Sequence, residues 1–261
     1  MMSGKSFAAG EMGMLVTDDV HLYERALAYG HYERNNADFI KDSEELKPYF
    51  HIALGGVKGR ANQLCAALGR GQLKHFDERC AEIRRAMNYF FDQIEKIDGI
   101  TPLRVDESTG STMGGFYHPH CIYDAAAFHG LSVARFAKAV MAEFNGTAPC
   151  WDGSNFCLHT HNYFKTFDAF SLGRPSRIAF SDRETVPADD ATPSLAASVE
   201  VLCFSVPWFK HLNKEWIDRY VAAIHKVVDN HEALLEGDSN GAQGGRWYGA
   251  TNEENQQKKK G

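Results

Sequence analysis

Hydrophobic residues recur at helical spacing over one long stretch of the chain, from Gly59 to about Ile97. Apolar side chains follow one another there at intervals of three and four residues, and Lys, Arg, Asp and Glu fill the positions between them. This pattern predicts one amphipathic helix with an apolar seam, which Gly69 and Gly71 bend or divide near its start. A helix of this length normally connects two parts of a fold or two subunits. The seam consists of Leu73, Phe76, Cys80, Ile83, Met87, Phe90, Ile94 and Ile97.

Shorter elements are predicted before this helix. The apolar run 14–17 indicates a short buried strand, and residues of about 20–29 indicate a helix that Asp18 or Asp19 caps. Residues 30–56 are polar over a length that, inside a compact domain, is usually functional or mobile. The expected buried side of the short helix consists of Leu22, Ala26, Leu27 and Tyr29.

Strands and helices alternate in the remainder of the chain. Their hydrophobic patterns predict two strands and two amphipathic helices. The second strand is expected to be fully buried. Such interleaving favours an α/β or α+β module. The final segment is glycine-rich and polar, which predicts disorder. The ranges are 111–124 (strand), 130–144 (helix), 199–209 (strand), 214–235 (helix) and 237–261 (disordered tail).

Composition and charge exclude several classes of protein. The chain has 261 residues, of which 44% are hydrophobic and 24% charged, which is typical of a globular protein. Its net charge of −6 disfavours nucleic acid as the main partner. No apolar run approaches the roughly 18–20 residues that cross a bilayer, and the first residues lack the apolar core of a signal peptide. We therefore expect a cytoplasmic protein without a membrane partner.

The six cysteines never form a CxxC pair, which favours reduced thiols over disulfides or a structural zinc site. A Cys/His cluster of potential metal ligands nevertheless lies in the second half of the chain. None of its pairs has the spacing of two ligands on one helical face. We predict no metal site here, although a small metal-dependent enzyme that uses the cluster stays an alternative. Its members are His118, His120, Cys121, Cys150, Cys157, His159 and His161.

A lysine near the start of the chain has unusual neighbours. Lys5 is flanked by Gly4 and Ser6, and a turn with Gly10 and Gly13 separates it from the apolar run. Small neighbours let a bulky group approach the amine from several sides, and the glycines permit backbone angles that other residues resist. A frayed, basic terminus explains the same residues without any function. The residues themselves leave both interpretations open.

Several blocks in a fixed order resemble the DegT-type aminotransferases, pyridoxal-phosphate enzymes that aminate nucleotide sugars. SGKSFAAGEMGMLVTDD resembles the lysine segment of that family, and LYERALAYGHYER resembles the helix and loop that follow it. GGVKGRANQLCAALGRGQLKHFDERCAEIRR resembles its arginine-containing turn and long helix, and LHTHNYF a histidine-bearing loop. The similarity runs from Ser3 to about Leu235, which is nearly the whole chain.

The resemblance implies a catalytic site and a cofactor. Lys5 would form the internal aldimine with pyridoxal 5'-phosphate and, as a free amine, move a proton between substrate and cofactor. Lys58 stands where the family has an asparagine near the dimer contact, and its charge could meet a phosphate. Arg60 would contact substrate or a cofactor phosphate across a dimer interface, or simply pair with a carboxylate. His159 and His161 would contact substrate, or pack structurally.

The resemblance also implies partners and a fold. The substrate would be a keto-sugar, nucleotide-linked, with glutamate or glutamine as amino donor, and the enzyme a homodimer in which Lys58 and Arg60 lie near the neighbour's cofactor. The fold would be α/β, the C-terminal part of a fold-type I pyridoxal-phosphate transferase. The implied divisions are 1–56 (remnant of the cofactor-binding large domain), 57–98 (long connecting helix), 99–236 (small C-terminal α/β domain) and 237–261 (tail).

The chain also departs from the family pattern. Met12 replaces a glycine of the turn. No block resembles the phosphate-binding turn, the acid that pairs with the ring nitrogen, or the residue that stacks on the ring. We therefore expect an N-terminally truncated fragment that is inactive in isolation. A non-catalytic, dimerising scaffold that kept this part of the family fold is the main alternative.

Overall fold

The computed structural model describes residues 1, 4–153, 163, 166–181 and 202–238. His159, His161, the beginning of the strand predicted within 199–209 and nearly all of the predicted tail lie outside these residues. By its internal packing the chain divides into two compact units, Met1–Cys80 and Ala81–Gly261.

The first helix of the first unit, α1 (Val20–Gly30), forms as predicted. The side chain of Asp19 caps it by accepting hydrogen bonds from the amides of His21 and Leu22. Its expected buried side is wrong, because Leu22 and Tyr29 are 56% and 60% exposed. The residues of α1 that are buried are Glu24 and Ala28, since the polar stretch after the helix folds back onto that side.

A buried carboxylate orders this long polar stretch. Glu24 accepts hydrogen bonds from the backbone amides of Lys41, Asp42 and Ser43, the last at 2.7 Å. Burial by itself raises the pKa of Glu24, but these hydrogen bonds, together with one from the Ser43 side chain, outweigh it and lower the pKa to about 2. The carboxylate therefore stays ionised and holds the loop by three consecutive amides.

A second buried polar side chain closes the same stretch. The Asn35 side-chain amide donates to the carbonyl oxygens of Tyr49 and Ile52, both at 2.7 Å. A short 3₁₀ helix, Glu44–Tyr49, lies between the two anchor points. The polar stretch is thus an ordered loop, packed over a small apolar cluster of Ala28, Ile40 and Leu46.

The strand predicted at 14–17 does not form. Met14 and Leu15 are each 68% exposed and Val16 is 84% exposed, and the segment has no regular secondary structure. An extended segment becomes a strand only when a neighbour accepts and donates its backbone hydrogen bonds. Among the described residues no strand pairs with it.

The single long helix predicted from the apolar seam is divided. α2 (Gln63–Leu73) passes through Gly69 and Gly71 without a break, and α3 (Phe76–Ile94) begins after a turn at Lys74 and His75. The amide of His75 bonds the carbonyl of Gln72 at 3.1 Å, which tightens the last turn of α2. The boundary between the two units falls inside α3.

The seam of α3 packs inside the second unit. From Ile83 onward its apolar residues are buried in one core with the sheet and the remaining helices. This part of the seam is therefore covered by its own chain, and Leu73, at the other end, is exposed. The buried members are Ile83, Met87, Phe90, Ile94 and Ile97.

The second unit contains a small antiparallel sheet in the order β1 (Ile100–Pro102), β2 (His120–Tyr123) and β3 (Cys203–Ser205). Ile100 pairs with Tyr123, and Cys121 pairs with Phe204. The strands predicted at 111–124 and 199–209 form only in part, as β2 and β3, and residues 111–119 are not strand.

Two further α-helices lie among the described residues of the second unit. α4 (Val133–Ala142) begins at the Ser132 cap, and α5 (Lys214–Asp229) begins at the Asn213 cap. They pack against each other, and a 3₁₀ helix, His231–Leu234, follows α5. Both predicted helices are confirmed, as is the mixed α and β class. No helix among the described residues is long and apolar enough to cross a membrane.

Replacement of Glu24 by Gln should destabilise the protein, because the amide group keeps the size of the side chain but loses the charge that holds three backbone amides. We expect the free energy of unfolding at pH 7 to fall by about 2–3 kcal/mol, measured by urea denaturation. Glu45→Gln is the matched control, since Glu45 makes only an exposed ion pair with Arg25 and its loss should cost less than about 1 kcal/mol.

The destabilisation should depend on pH in a defined direction. The pKa of Glu24 is lower in the folded protein than in the unfolded chain, so its contribution is fully present above pH 4.5 and is lost as the pH falls towards 2. The difference between wild type and Glu24→Gln should therefore shrink on acidification. Equal stability of Glu24→Gln and Glu45→Gln at pH 7 would contradict the structural role of Glu24.

Candidate active site

The loop that carries Lys5 is anchored on the two helices at the end of the first unit. Lys5 is half-buried between exposed Gly4 and half-buried Ser6. Two residues later, the ring of Phe7 meets the ring of Phe76 edge-on, with centroids 5.2 Å apart. Ala9 is fully buried and its amide donates to the carbonyl of Met1 at 2.9 Å. These contacts favour an ordered lysine loop over a frayed terminus.

Small residues let this loop lie directly on α2. Gly10 has a φ of +73°, and a Cβ at this position would come within 3.0 Å of the Cys65 sulfur. A Cβ at Gly69 would come within 3.2 Å of the end of the Met12 side chain and 3.5 Å of the Ala9 Cβ. Gly69 therefore serves close packing and does not bend the helix as the sequence suggested.

A second segment positions Lys58 and Arg60. The amides of Leu54 and Gly55 donate to the carbonyls of Ala28 and Tyr29, each at 2.9 Å, and the amide of Gly59 donates to the carbonyl of Gly30 at 2.7 Å. A Cβ at Gly55 would collide with the Tyr29 ring at 2.6 Å, so this close approach requires glycine. The segment is thereby tied to the C-terminal end of α1.

Four side chains form a hydrogen-bonded network at this place. The Lys58 ammonium donates to the Tyr32 hydroxyl at 3.0 Å, and Tyr32 donates to Glu33 at 3.0 Å. Arg60 contacts both carboxylate oxygens of Glu33 at 2.7 Å. The Tyr32 hydrogen bond lowers the pKa of Glu33 against a smaller effect of burial, and the charges of Arg60 and Lys58 lower it further. Two cations thus share one carboxylate, which leaves the network with a net positive charge.

The structure brings some of the predicted site residues together. Lys58 and Arg60 share one network, in which Arg60 makes the ion pair that was the structural alternative for it. Lys5 lies on a different loop of the same unit. His159 and His161 lie outside the described residues.

Sequence reasoning missed Tyr32 and Glu33. Both stand in the block LYERALAYGHYER, which was assigned only to a helix and loop. The adjacent aromatic and acidic residues at the end of that block were the available signal. Their pairing with Lys58 and Arg60 depends on the folded loop between them, and the sequence pattern does not reveal it.

The described members of the Cys/His cluster do not assemble a metal site. The rings of His118 and His120 stack with centroids 5.3 Å apart, whereas Cys121 and Cys150 are buried in the core. Burial, and then the charge of Asp152, raises the pKa of Cys150 to about 12, and burial raises the pKa of Cys121 further. Buried thiols with a raised pKa are poor nucleophiles.

Replacement of Gly69 by Val should disturb the lysine loop, because the new side chain occupies space that Ala9 and Met12 fill. We expect a loss of about 1–3 kcal/mol in stability and faster hydrogen exchange at residues 4–12, measured by mass spectrometry. Gly71→Val is the matched control, since it makes the same change in helix propensity and its Cβ meets nothing within 4 Å. Identical exchange in the two variants would show that the loop does not depend on this contact.

Two curated relatives resemble this chain over most of its length. It is 24% identical over 235 residues to "UDP-4-amino-4-deoxy-L-arabinose--oxoglutarate aminotransferase" of Shewanella sediminis (strain HAW-EB3), covering 87% of this chain and 53% of the relative. It is 24% identical over 229 residues to "Spore coat polysaccharide biosynthesis protein SpsC" of Bacillus subtilis (strain 168), covering 86% and 51%. The chain therefore spans about half the length of the curated relatives it matches.

Solved structures share its fold. The crystal structure of 3-amino-5-hydroxybenzoic acid synthase superposes with a TM-score of 0.58 at 19% identity, over 88% of this chain and 53% of that one. The aminotransferase TlmJ from Streptoalloteichus hindustanus superposes with a TM-score of 0.52 at 16% identity, over 89% and 50%. The predicted α/β fold class is confirmed.

The family assignment rests on a match to a family model, and not on any one of these pairs. The model of the DegT/DnrJ/EryC1/StrS aminotransferase family matches residues 2–166, a range that includes Lys5, Lys58 and Arg60. This match covers more than half of the chain. The chain therefore belongs to the DegT/DnrJ/EryC1/StrS aminotransferase family.

Proposed function

We propose that this chain carries the lysine-bearing part of a pyridoxal-phosphate-dependent aminotransferase that aminates a keto-sugar. The observation that carries the proposal is the placement of Lys5, a half-buried amine on a loop that is anchored to α2 and α3. A reactive amine must be held in position, and this loop provides the support that a frayed terminus lacks.

The first unit contains the types of side chain that could bind this cofactor. A primary amine suits its aldehyde, and the net positive network of Lys58 and Arg60 suits its phosphate. When bound, pyridoxal phosphate supplies an electron sink for the bond that breaks at the substrate α-carbon. Lys5 would hold the cofactor covalently through its Nζ, and Lys58 would bind the phosphate of the cofactor in the neighbouring subunit.

Lys5 would have a second task once an amino donor displaces it. A free amine can accept a proton at Nζ and return it to a neighbouring carbon. The small neighbours Gly4 and Ser6 leave room for the reacting groups on either side. Tyr32 and Glu33 would orient Lys58 and Arg60 through the hydrogen bonds described above.

The names of the two curated relatives support a sugar substrate. One is an aminotransferase of a UDP-linked amino-sugar, and the other takes part in polysaccharide biosynthesis. We propose a nucleotide-linked keto-sugar as acceptor and glutamate or glutamine as donor. Arg60, His159 and His161 are the proposed substrate contacts.

Covalent labelling tests the assignment of Lys5. The purified chain is incubated with pyridoxal phosphate, reduced with borohydride and mapped by peptide mass spectrometry. We expect the label at Lys5, and Lys5→Ala should remove it. Lys47→Ala, which changes an exposed lysine paired with Glu44, should leave the labelling unchanged. Equal labelling of the Lys5→Ala variant would end the assignment.

The same preparation also tests whether the isolated chain turns over. We propose that it does not, because its sequence contains no block resembling the phosphate-binding turn or the acid that pairs with the ring nitrogen. Each missing charge-assisted contact is worth roughly 1.5–3 kcal/mol, so cofactor binding should be weaker by several decades than in a complete site. Amino transfer to a keto-sugar with saturable micromolar cofactor binding would contradict this part of the proposal.

We also propose that the protein works as a homodimer, with Lys58 and Arg60 near the neighbour's cofactor. The buried seam of α3 does not supply the interface, because its own unit covers it. α2 offers a better surface, since Leu64 is 80% exposed and Leu68, one turn later on the same face, is 49% exposed. Exposed leucines at this spacing are typical of a face that packs against another surface.

Substitution on this face should dissociate the dimer. We expect Leu64→Glu/Leu68→Glu to sediment as a monomer at micromolar concentration while the wild type sediments as a dimer. Leu73→Glu is the control, since it places one glutamate on the opposite side of α2, where an equally large exposed leucine stands. A monomeric wild type, or a dimer in all variants, would contradict this interface.

A further inference from the structure

Two short helical turns of the second unit bring three side chains with metal-ligating atoms together. His129 follows the 3₁₀ helix Ala125–Phe128 in the left-handed conformation, with a φ of +53°. His231 and Glu232 open the 3₁₀ helix after α5. The two imidazole rings lie with centroids 5.1 Å apart, and the ring of Phe128 meets that of His231 edge-on. Contacts between residues far apart in the sequence thus build this cluster.

The hydrogen bonding of His231 leaves one nitrogen available as a ligand. Its Nδ1 lies 2.7 Å from the carbonyl oxygen of Val228, which can only accept a hydrogen bond. Nδ1 therefore carries the proton and Nε2 carries the lone pair. Nε2 is shielded from solvent, and no described residue hydrogen-bonds it. A buried lone pair without a donor is costly, and a bound cation removes that cost.

The other two ligand atoms lie at a suitable distance. One ligand atom of each of the three residues lies within 4.8 Å of those of the other two. His129 Nδ1 and the Glu232 carboxylate are 3.6 Å apart, which is too long for a good hydrogen bond. A tetrahedral ion with bonds of about 2.0–2.2 Å places neighbouring ligands about 3.3 Å apart. Small side-chain movements therefore suffice to close the site around an ion.

We propose that His129, His231 and Glu232 bind a divalent transition-metal ion of the zinc class. Two imidazoles and one carboxylate suit Zn²⁺, whereas Mg²⁺ and Ca²⁺ prefer oxygen ligands alone. The carbonyl of Val228 orients the ligating imidazole in the way that outer-shell partners of metal-bound histidines do. The side chains of His129 and Glu232 are 60% and 74% exposed, so the fourth position faces solvent.

The bound ion would join two parts of the second unit. It would connect the turn after β2 to the turn after α5 through their side chains, beside the core contact of Phe128 with His231. None of its ligands belongs to the proposed active-site residues or to the Cys/His cluster considered from the sequence. The site is therefore independent of the proposed aminotransferase function.

Calorimetric titration of the chelator-treated protein with ZnCl₂ tests the proposal. We expect one saturable site, and we expect Zn²⁺ to raise the melting temperature of the wild type. His129→Ala and Glu232→Gln, both exposed substitutions, should each weaken binding at least about tenfold and abolish the thermal shift. His225→Ala, an exposed histidine of α5, is the matched control and should bind as the wild type does.

Cobalt substitution separates this site from binding by the thiols. Co²⁺ bound by nitrogen and oxygen ligands gives visible d–d bands without the thiolate charge-transfer band that cysteine ligation produces. The spectrum of the wild type should lack the charge-transfer band, and the d–d bands should disappear in His231→Ala. The proposal is overturned if Zn²⁺ does not saturate the protein, if His129→Ala and Glu232→Gln bind like the wild type, or if the cobalt spectrum is that of a thiolate site.

Discussion

The order of the first unit depends on the hydrogen bonds that the buried carboxylate of Glu24 accepts. Three consecutive backbone amides donate these hydrogen bonds, and they belong to a loop that is otherwise polar and poor in core residues. With that loop held, Asn35 can close its second half, and the segment after it can run back along the end of α1. Lys58 and Arg60 are carried by this segment. A charge buried in a helix thus positions the cations of the candidate site by way of a loop.

The lysine loop is positioned by a different kind of contact. Its support is close packing between small residues, with Ala9 and Gly10 on the loop and Gly69 on α2. Packing of this kind is short-ranged and leaves little room for change. The family match across residues 2–166 includes both the lysine loop and the helix that supports it.

The second unit depends mainly on its apolar core. The seam of α3 packs with the three strands, α4 and α5, and aromatic contacts such as that of Tyr123 with Phe128 fill the space between them. The polar groups at its edge are of more interest for function. The buried Nε2 of His231 has no hydrogen-bond donor, and His129 and Glu232 lie beside this residue. The metal-ligand cluster considered from the sequence contained other histidines and not these two.

Local patterns were sufficient for several helices and for the family. The cap at Asp19 and the periodicity of α4 and α5 are properties of neighbouring residues, so the sequence alone determined those elements. The lysine motif and the order of the blocks likewise determined the family. The strand at 14–17 failed because a strand needs hydrogen-bonding partners that a local pattern does not contain. The predicted break at Gly69 and Gly71 was wrong. Gly69 serves close packing, and the helix divides after Leu73 instead.

Tertiary structure alone decided the pairings between distant residues. The buried side of α1 was assigned to apolar residues, whereas a carboxylate lies there, because three amides from another part of the chain compensate for its burial. The Tyr32–Glu33 network and the His129–His231–Glu232 cluster have the same origin. A single sequence records residue types and their local spacing, but hydrogen bonds and ligand distances between separate segments exist only once the loops that join them have folded.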